Sequence, residues 1–348
     1  MKKSSLILVL VLAIGFSFLL HHNSVLAQTS EKPIVWKISS AFSTGSFLYK
    51  SLLPRFRDEV AKRSGGRLQI KMYAPGALVK TLELYGAVQK GVVEGGISAG
   101  LYNARLIPEA VIETGLPQSF ADYADASKFY YDYKSGKALN LIREAYKEKG
   151  TYYMGVYPLA SYVLMTKFPV NKLDDLKGRK LRTFGPYSLL AKALKAAPVS
   201  ISGAEQYMAL QRRTVEGTIY PLYALEMYKL QEVIDYVTLP PIAGSIMINI
   251  YFNLDAWNKL PDDIQMICNE VARELVPWVC SETAKVDNKY MVAAKEKGVK
   301  FITLPEEEAN KLREIAVNTW DVFGKKTPRC KELIIMLKDY LKEKGTLK

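Results

Sequence analysis

The stretch ELYGAVQKGVVEGGI at residues 83–97 occurs in a second version, EQYMALQRRTVEGTI, at residues 205–219. Ten ordered positions correspond at an offset of 122 residues, and eight of these ten pairs are identical. The first stretch predicts a helix through Leu84 and Val88 that leads to a short strand at Gly96-Ile97-Ser98. An ordered internal repeat of this kind predicts two related α/β lobes.

The residues before the first stretch also alternate between strand and helix patterns. Val35-Trp36-Lys37-Ile38 predicts a strand, and a helix that stops at Gly65-Gly66 follows it. One face of this helix is predicted by the four-residue spacing of Leu48, Leu52, Phe56 and Val60. Because strands alternate with helices, we expect a mostly parallel α/β sheet.

The residues after the second stretch predict how the lobes are connected. Leu239-Pro240-Pro241, with Gly244-Ser245 just beyond, is typical of a crossing point between lobes. Residues 247–252 are apolar enough to predict a buried strand. Beyond Leu260 the pattern is that of an amphipathic helix, since apolar residues recur at Val271, Leu275 and Val279.

The N-terminus predicts export. Lys2 and Lys3 precede an apolar run from Leu6 to Leu20, and Val25-Leu26-Ala27 resembles a cleavage site. We therefore expect residues 1–27 to be a cleaved signal peptide and the mature protein to be periplasmic and not embedded in a membrane. A retained membrane anchor is the alternative, but about 15 apolar residues are short for a spanning helix, which needs roughly 20.

Composition argues against several classes of function. The 348 residues carry a formal net charge of +13, with 24% charged and 49% hydrophobic residues, which is typical of a globular protein. The lysines and arginines are spread along the chain and form no basic stripe interleaved with aromatic residues. Nucleic-acid binding is therefore not expected.

The mature chain would contain no histidine, because His21 and His22 both lie in the predicted signal peptide. This removes the usual general base and the commonest ligand of zinc and copper. The three cysteines, Cys268, Cys280 and Cys330, are too few and too separated for a thiolate metal cluster. We predict no catalytic residue, no metal and no cofactor. A Cys268–Cys280 disulfide stays open as a possibility if Pro277 breaks the helix between them.

A sequence motif of serine hydrolases is nevertheless present. Gly96-Ile97-Ser98-Ala99-Gly100 matches the G-x-S-x-G pattern at the end of a predicted strand. Such an enzyme needs a base for the hydroxyl proton, and only a rare Ser–Lys arrangement could do without histidine. We interpret the motif as a tight, glycine-lined strand end that lets a ligand approach the backbone.

The residues that follow the two repeated strands are predicted to face a cleft between the lobes. Ligands of open α/β sheets bind beyond the carboxyl ends of the strands. In the first lobe this position predicts Ser98, Tyr102 and Asn103 as ligand-binding residues, and in the second lobe Tyr220 and Tyr223.

Arg182 is the strongest single candidate for binding a ligand. It lies in the predicted strand KLRTFGP at residues 180–186, where alternation places Arg182 and Phe184 on one face. A guanidinium group offers a planar fork that matches a carboxylate with two parallel hydrogen bonds. A surface arginine or an interlobe ion pair is the alternative interpretation.

Taken together, several motifs resemble the extracytoplasmic solute-binding proteins of TRAP transporters, the DctP-type family. They extend over nearly all of the mature chain: residues 65–68, 87–91, 116–117, 174–182, 205–211 and 215–217, Trp257, and Leu260-Pro261. The resemblance implies a periplasmic-binding-protein-like fold with two lobes, a hinge and a long helix spanning both. It also implies delivery of the ligand to a sodium-driven permease with a small and a large membrane subunit, and a carboxylate clamp at Arg182.

Two departures from the family pattern bear on the ligand. Tyr220 stands where many members have an asparagine that contacts the carboxylate. Tyr157 stands where the binders of sialic acid have an arginine, so a sugar acid is not expected. Both changes introduce an aromatic ring, which predicts a pocket for a small monocarboxylate with an apolar or aromatic body.

The sequence thus predicts an organic-acid-binding protein that closes about a hinge when ligand binds. The predicted first lobe consists of residues 28–155 and about 245–280, and the second of residues 156–244 and about 281–348. The binding protein of an ATP-driven importer is the alternative function, and an exported hydrolase is a remote one.

Overall fold

A nine-stranded mixed sheet runs through residues 32–347, the part of the chain that the structure, a computed structural model, describes. The predicted signal peptide lies outside the described residues. The strands are β1 (Ile34–Ser40), β2 (Leu68–Tyr73), β3 (Gly95–Ser98), β4 (Thr151–Thr166), β5 (Lys180–Arg182), β6 (Ala197–Val199), β7 (Gly217–Pro221), β8 (Tyr236–Asn253) and β9 (Lys300–Thr303). Their order is β2-β1-β3-β8-β4-β7-β5-β6, and β9 pairs with β8. From Val35 onward the chain forms one compact unit.

Helices pack around this sheet. Those in the described residues are α1 (Leu53–Arg63), α2 (Leu84–Gln89), α3 (Ala110–Thr114), α4 (Tyr123–Tyr131), α5 (Lys137–Lys147), α6 (Pro186–Ala193), α7 (Gln206–Gln211), α8 (Ala224–Met227), α9 (Leu254–Asn258), α10 (Asp262–Glu296), α11 (Glu306–Thr319), α12 (Asp321–Gly324) and α13 (Pro328–Glu343). The predicted face before and along α1 is confirmed, because its four apolar residues are at most 1% exposed. Helix α1 ends at Arg63, and Gly65 and Gly66 follow with positive φ angles, as expected for a helix stop.

The sequence repeat is visible in the sheet. Helix α7 and strand β7 each begin 122 residues after α2 and β3. Strand β3 lies between parallel β1 and antiparallel β8, and β7 lies between parallel β5 and antiparallel β4. From one edge inward the order is β2-β1-β3-β8, and from the other edge it is β6-β5-β7-β4. The two series correspond strand by strand, as expected for two related halves.

The expectation of a mostly parallel sheet needs correction at the centre. Strands β4 and β8 are 16 and 18 residues long and pair antiparallel along nearly their whole length. Each of them extends from the β3 side of the sheet to the β7 side, so they carry the chain between the halves in opposite directions. The predicted crossing point at residues 239–245 lies within β8.

Helix α10 is the long helix that the sequence predicts. Its 35 residues correspond to about 52 Å at 1.5 Å per residue. It continues through Pro277, and it contacts α1, α4, β4 and α8, so it touches both halves. Cys268, Cys280 and Cys330 are all free thiols. Between residues 32 and 347, no helix combines the length and the apolarity that crossing a lipid bilayer requires.

The C-terminal residues divide between the halves differently from the prediction. Ala294 and Val299 pack in a core cluster with residues of β4 and α7, in the second half. From Val317 to Leu341, however, buried side chains pack with Ile112, Phe129 and Tyr146 in the first half. The assignment of the whole range 281–348 to the second lobe is therefore corrected for α12 and α13. The other lobe boundaries stay predictions.

Candidate ligand-binding cavity

A cavity of about 400 Å³ lies where elements of both halves meet. The first half contributes the turn that follows β3, with Leu101 and Tyr102. The second half contributes the ends of β5 and β7 and the loop that follows β6. The lining residues include Phe42, Ala99, Leu101, Tyr102, Thr114, Leu159, Tyr162, Arg182, Phe184, Tyr187, Ser200, Ile201, Ser202, Gly203, Tyr220, Tyr223 and Ile246.

Arg182 enters this cavity from the last position of β5. Parallel pairing places it beside Val199 of β6 and Thr218 of β7, so its backbone is held on both sides. Its side chain is largely buried, and its Nε donates a hydrogen bond of 2.9 Å to the carbonyl oxygen of Ile201. None of the ion pairs between described residues involves Arg182. The positive charge is therefore available to an anion.

A cluster of tyrosine rings lies beside the guanidinium group. The Arg182 guanidinium carbon lies 4.5 Å from the centre of the Tyr220 ring. The centres of the Tyr162 and Tyr223 rings lie 6.1 and 6.3 Å from the centre of the Tyr220 ring. Burial raises the pKa of the Tyr162, Tyr220 and Tyr223 hydroxyls, and the neighbouring tyrosines raise it further. These phenols therefore stay protonated at neutral pH and can donate hydrogen bonds.

Much of the remaining cavity wall is apolar, and none of the described residues that line it is acidic. Phe184 is half exposed and Tyr102 is 42% exposed, so both rings lie at the solvent side. Phe42, Leu159 and Ile246 complete the apolar wall. Arg182 is the single charged side chain among the described residues that line the cavity. The cavity therefore carries one positive charge and large apolar surfaces.

The structure brings together five of the eight predicted ligand-binding residues in this cavity: Arg182, Phe184, Tyr102, Tyr220 and Tyr223. Tyr157 is placed elsewhere. It is fully buried, and its hydroxyl donates to the carbonyl oxygen of Ala272 on α10 at 3.0 Å. The sequence-based position of Tyr157 is corrected accordingly, because its ring packs under the long helix and not in the cavity.

Ser98 and Asn103 also lie outside the cavity lining, in a buried polar network. Ser98 donates to Asn249 Oδ1 at 3.1 Å, and Asn103 donates to the Tyr146 hydroxyl at 3.2 Å. The next residue after Ser98, Ala99, does line the cavity. Because successive residues of a strand point to opposite sides, Ser98 faces the interior. The structure therefore gives the G-x-S-x-G serine a packing role.

Glu113 is at the centre of this network, and the sequence analysis missed it. It is fully buried, and its carboxylate accepts hydrogen bonds from Asn249 Nδ2 at 2.8 Å and the Tyr146 hydroxyl at 2.9 Å. Burial raises the pKa of this carboxyl to about 7. A Cβ at Gly100 would lie 2.9 Å from its Oε2, so the network supports the turn that carries Tyr102. No local sequence pattern marks such a residue, because its partners are distant in the chain.

The sequence also matches a known family. Residues 38–327 match the model of the bacterial extracellular solute-binding proteins of family 7, the DctP family. The chain belongs to this family. A relative is the monocarboxylate 2-oxoacid-binding periplasmic protein of Nostoc sp., which is 22% identical over 330 residues and aligned over 92% of this chain and 88% of that one.

A second relative and a solved structure are also similar to most of this chain. The C4-dicarboxylate-binding periplasmic protein DctP of Rhodobacter capsulatus is 25% identical, with 83% of this chain and 86% of that one aligned. A TRAP periplasmic solute-binding protein of Desulfovibrio salexigens with bound orotic acid superposes with a TM-score of 0.77 at 21% identity. The alignment covers 89% of this chain and 99% of that one. This family 7 protein thus has the two-lobed α/β fold of these binding proteins.

Proposed function

We propose that this family 7 protein captures a small monocarboxylate in the periplasm and delivers it to the membrane subunits of a TRAP transporter. The observation that carries the proposal is the buried guanidinium of Arg182, which faces a cavity of both halves without a carboxylate partner among the described residues. Ligand capture, with no catalytic step, accounts for this arrangement.

The contacts of Arg182 leave one edge of its guanidinium group for the ligand. Its Nε is occupied by the Ile201 carbonyl, and one face lies on the Tyr220 ring. The two Nη groups can then donate parallel hydrogen bonds to both oxygens of one carboxylate. We therefore assign Arg182 as the carboxylate clamp and Tyr220 as its support.

The charge of the cavity supports a monoanion. A dicarboxylate would bring a second negative charge into a cavity whose described lining holds one cation, and burying an unpaired charge is costly. A ligand ammonium group would find no acidic side chain in that lining. Relatives of this chain are named for binding monocarboxylates and for binding dicarboxylates, so relatedness does not select between the two ligand classes. The proposal of a monocarboxylate therefore rests on the charge of this chain's own cavity.

Binding is proposed to close the two halves over the ligand. Leu101 and Tyr102 come from the first half, and Phe184, Tyr220 and Tyr223 come from the second. A ligand that touches both sets binds the closed state more tightly than the open one, and this difference drives closure. The small and large permease subunits would then bind the closed, ligand-loaded form.

The other two candidate functions have less support. The binding protein of an ATP-driven importer would share the two-lobed shape, but the family model that matches residues 38–327 is that of DctP. A hydrolase that used Ser98 would need an accessible hydroxyl, and Ser98 is 1% exposed and bonded to Asn249.

The test is binding by purified protein that begins at Gln28. Mass spectrometry of ligand released on denaturation is followed by calorimetric titration with pyruvate, phenylpyruvate, benzoate and succinate. We expect a monocarboxylate to bind most tightly and Arg182→Ala to abolish measurable binding. Arg179→Ala is the matched control, because Arg179 is close in the chain but pairs with Glu216 outside the cavity. Tightest binding of succinate, or retention of affinity within about threefold in Arg182→Ala, would contradict the proposal.

A further inference from the structure

Three tyrosine hydroxyl groups in the cavity have no hydrogen-bond partner among the described residues. They belong to Tyr102, Tyr162 and Tyr223, all of which line the cavity beside Arg182. Their rings occupy different walls: Tyr102 follows β3, Tyr162 lies in β4, and Tyr223 follows β7. The three residues therefore line the cavity that holds the carboxylate clamp from three separate elements.

Other polar side chains of the cavity differ from these three because the protein already satisfies them. The Tyr187 hydroxyl donates to the carbonyl of Gly115 at 3.2 Å, and the Thr114 hydroxyl donates to the carbonyl of Ala110 at 2.8 Å. Ser202 donates to Glu205 at 2.7 Å, and the Tyr220 hydroxyl has Tyr228 as a side-chain partner. Ser200 is exposed at the rim. Apart from Ser200 at the rim, the cavity hydroxyl groups without a partner among the described residues thus belong to the three tyrosines.

We propose that Tyr102, Tyr162 and Tyr223 select monocarboxylates that carry a neutral oxygen, a carbonyl or a hydroxyl, close to the carboxylate. The proposal rests on the carboxylate clamp at Arg182 and extends it to the substrate class. A ligand with only hydrocarbon beside its carboxylate would displace water from these hydroxyls and leave them unpaired. Such unpaired groups disfavour binding, whereas a ligand oxygen at the same place accepts their hydrogen bonds.

The state and position of the three hydroxyls support this role. Burial raises the pKa of Tyr102, and it also raises that of Tyr162 and Tyr223, so all three keep their protons at neutral pH. Phe42, Leu101, Phe184 and Ile246 supply the apolar wall for the rest of the ligand. Oxygenated acids with an aromatic or branched body, such as 2-oxo and 2-hydroxy acids, combine the features that this cavity can bind.

The test uses pairs of acids that differ in one oxygen. Calorimetric titration compares phenylpyruvate and phenyllactate with 3-phenylpropionate, pyruvate and lactate with propionate, and mandelate with phenylacetate. We expect the oxygenated member of at least one set to bind roughly tenfold or more tightly, because the deoxygenated acid leaves a buried donor without an acceptor. Tyr162→Phe and Tyr223→Phe should each reduce this preference by roughly fivefold, because the oxygenated acid loses a hydrogen bond and the deoxygenated acid no longer leaves that hydroxyl unpaired.

The control is Tyr152→Phe, which removes a hydroxyl from the same strand as Tyr162 but from a site outside the cavity, where it bonds to Asn269. This variant should keep the full preference. If carboxylates bind and depend on Arg182 but no set favours its oxygenated member, the inference on the tyrosines is overturned and the clamp stands. If the preference survives both phenylalanine variants, the inference is likewise overturned. If no carboxylate binds the wild-type protein, the clamp and the inference fall together.

Discussion

The guanidinium group of Arg182 lies over the ring of Tyr220, with 4.5 Å between the guanidinium carbon and the ring centre. The two residues are on neighbouring strands, β5 and β7, whose parallel pairing fixes their separation. At Gly203 a Cβ atom would lie 2.4 Å from the Tyr220 hydroxyl, so the absence of a side chain there leaves room for the ring. The sheet and the Tyr220 ring therefore set the orientation of Arg182, the proposed carboxylate clamp.

The ring of Tyr220, more than its hydroxyl, should matter for affinity. Tyr220→Phe keeps the ring face under Arg182, and we expect the affinity for the best carboxylate to stay within about threefold. Tyr220→Leu removes the cation–π contact, which is worth about 0.5–2 kcal/mol and corresponds to a loss of roughly 2- to 30-fold. Calorimetric titration of both variants measures the difference. Equal losses in the two variants would mean that the hydroxyl contacts the ligand directly.

The positions of Arg182 and Tyr220 at the cavity were predictable from sequence, because each residue lies near the end of a short predicted strand. Residues near the end of a parallel strand face the same edge of the sheet, so the strand pattern was sufficient to group them. Phe184, Tyr102 and Tyr223 follow from the same argument. The helices and strands of the repeat were predictable for a similar reason, since their periodicity is local.

Strand and helix patterns did not predict the positions of Tyr157, Tyr162 and Glu113. Tyr162 lies inside β4 and not at the end of a repeated strand, so the sequence argument did not single it out, and Tyr157 packs under α10 through a contact distant in the chain. Glu113 depends on Asn249, 136 residues away, for one of its hydrogen bonds. The packing of α13 on the first half depends in the same way on contacts between residues distant in the chain, which no periodicity encodes.

Glu113 should make the stability of the protein depend on pH. Burial raises its pKa from 4.5 to about 7 in the folded state, so the folded protein holds a proton that the unfolded chain has released between these values. The contribution of Glu113 to stability is thus complete below about pH 4.5 and is lost as the pH rises to about 7. The loss amounts to roughly 3 kcal/mol at most, at about 1.4 kcal/mol per pKa unit.

The variant Glu113→Gln removes this titration and keeps the shape of the side chain. In urea unfolding at pH 5, 6, 7 and 8, we expect the wild type to lose stability relative to the variant as the pH rises. Glu307→Gln, which replaces an exposed carboxylate on α11, is the control and should follow the wild type. Parallel curves for wild type and Glu113→Gln would contradict the assignment.

Asp287 should be important for stability, because it joins the long helix α10 to strand β4 and to helix α4. It is nearly buried in α10, and its Oδ2 accepts hydrogen bonds from the Ser161 backbone amide at 3.0 Å and from the Tyr123 hydroxyl. Asp287→Ala leaves both donors without this acceptor, and we expect a loss of about 2–4 kcal/mol in the free energy of unfolding. Asp287→Asn keeps one acceptor oxygen and should lose less. Lys285→Ala, on the exposed side of α10, should stay within about 0.5 kcal/mol of the wild type.

Gly244 should tolerate no side chain, because β8 passes close to the loop between α3 and α4. A Cβ atom at this position would lie 2.1 Å from the carbonyl oxygen of Ala121 and 2.6 Å from that of Phe120. Both atoms belong to the backbone, so neither can move aside without shifting the loop. We expect Gly244→Ala to reduce the free energy of unfolding by roughly 1–3 kcal/mol or more in urea titration.

Gly86 provides the opposite case within the same chain. It lies inside α2 with no atom within 4 Å of an added Cβ, so Gly86→Ala should stabilise the protein by up to about 1 kcal/mol through helix propensity. The repeat supports this expectation, since the position 122 residues later is Met208 in α7, where an exposed side chain is already accommodated. If Gly244→Ala kept the stability of the wild type, the close approach of β8 to Ala121 would not be as restrictive as the 2.1 Å distance implies.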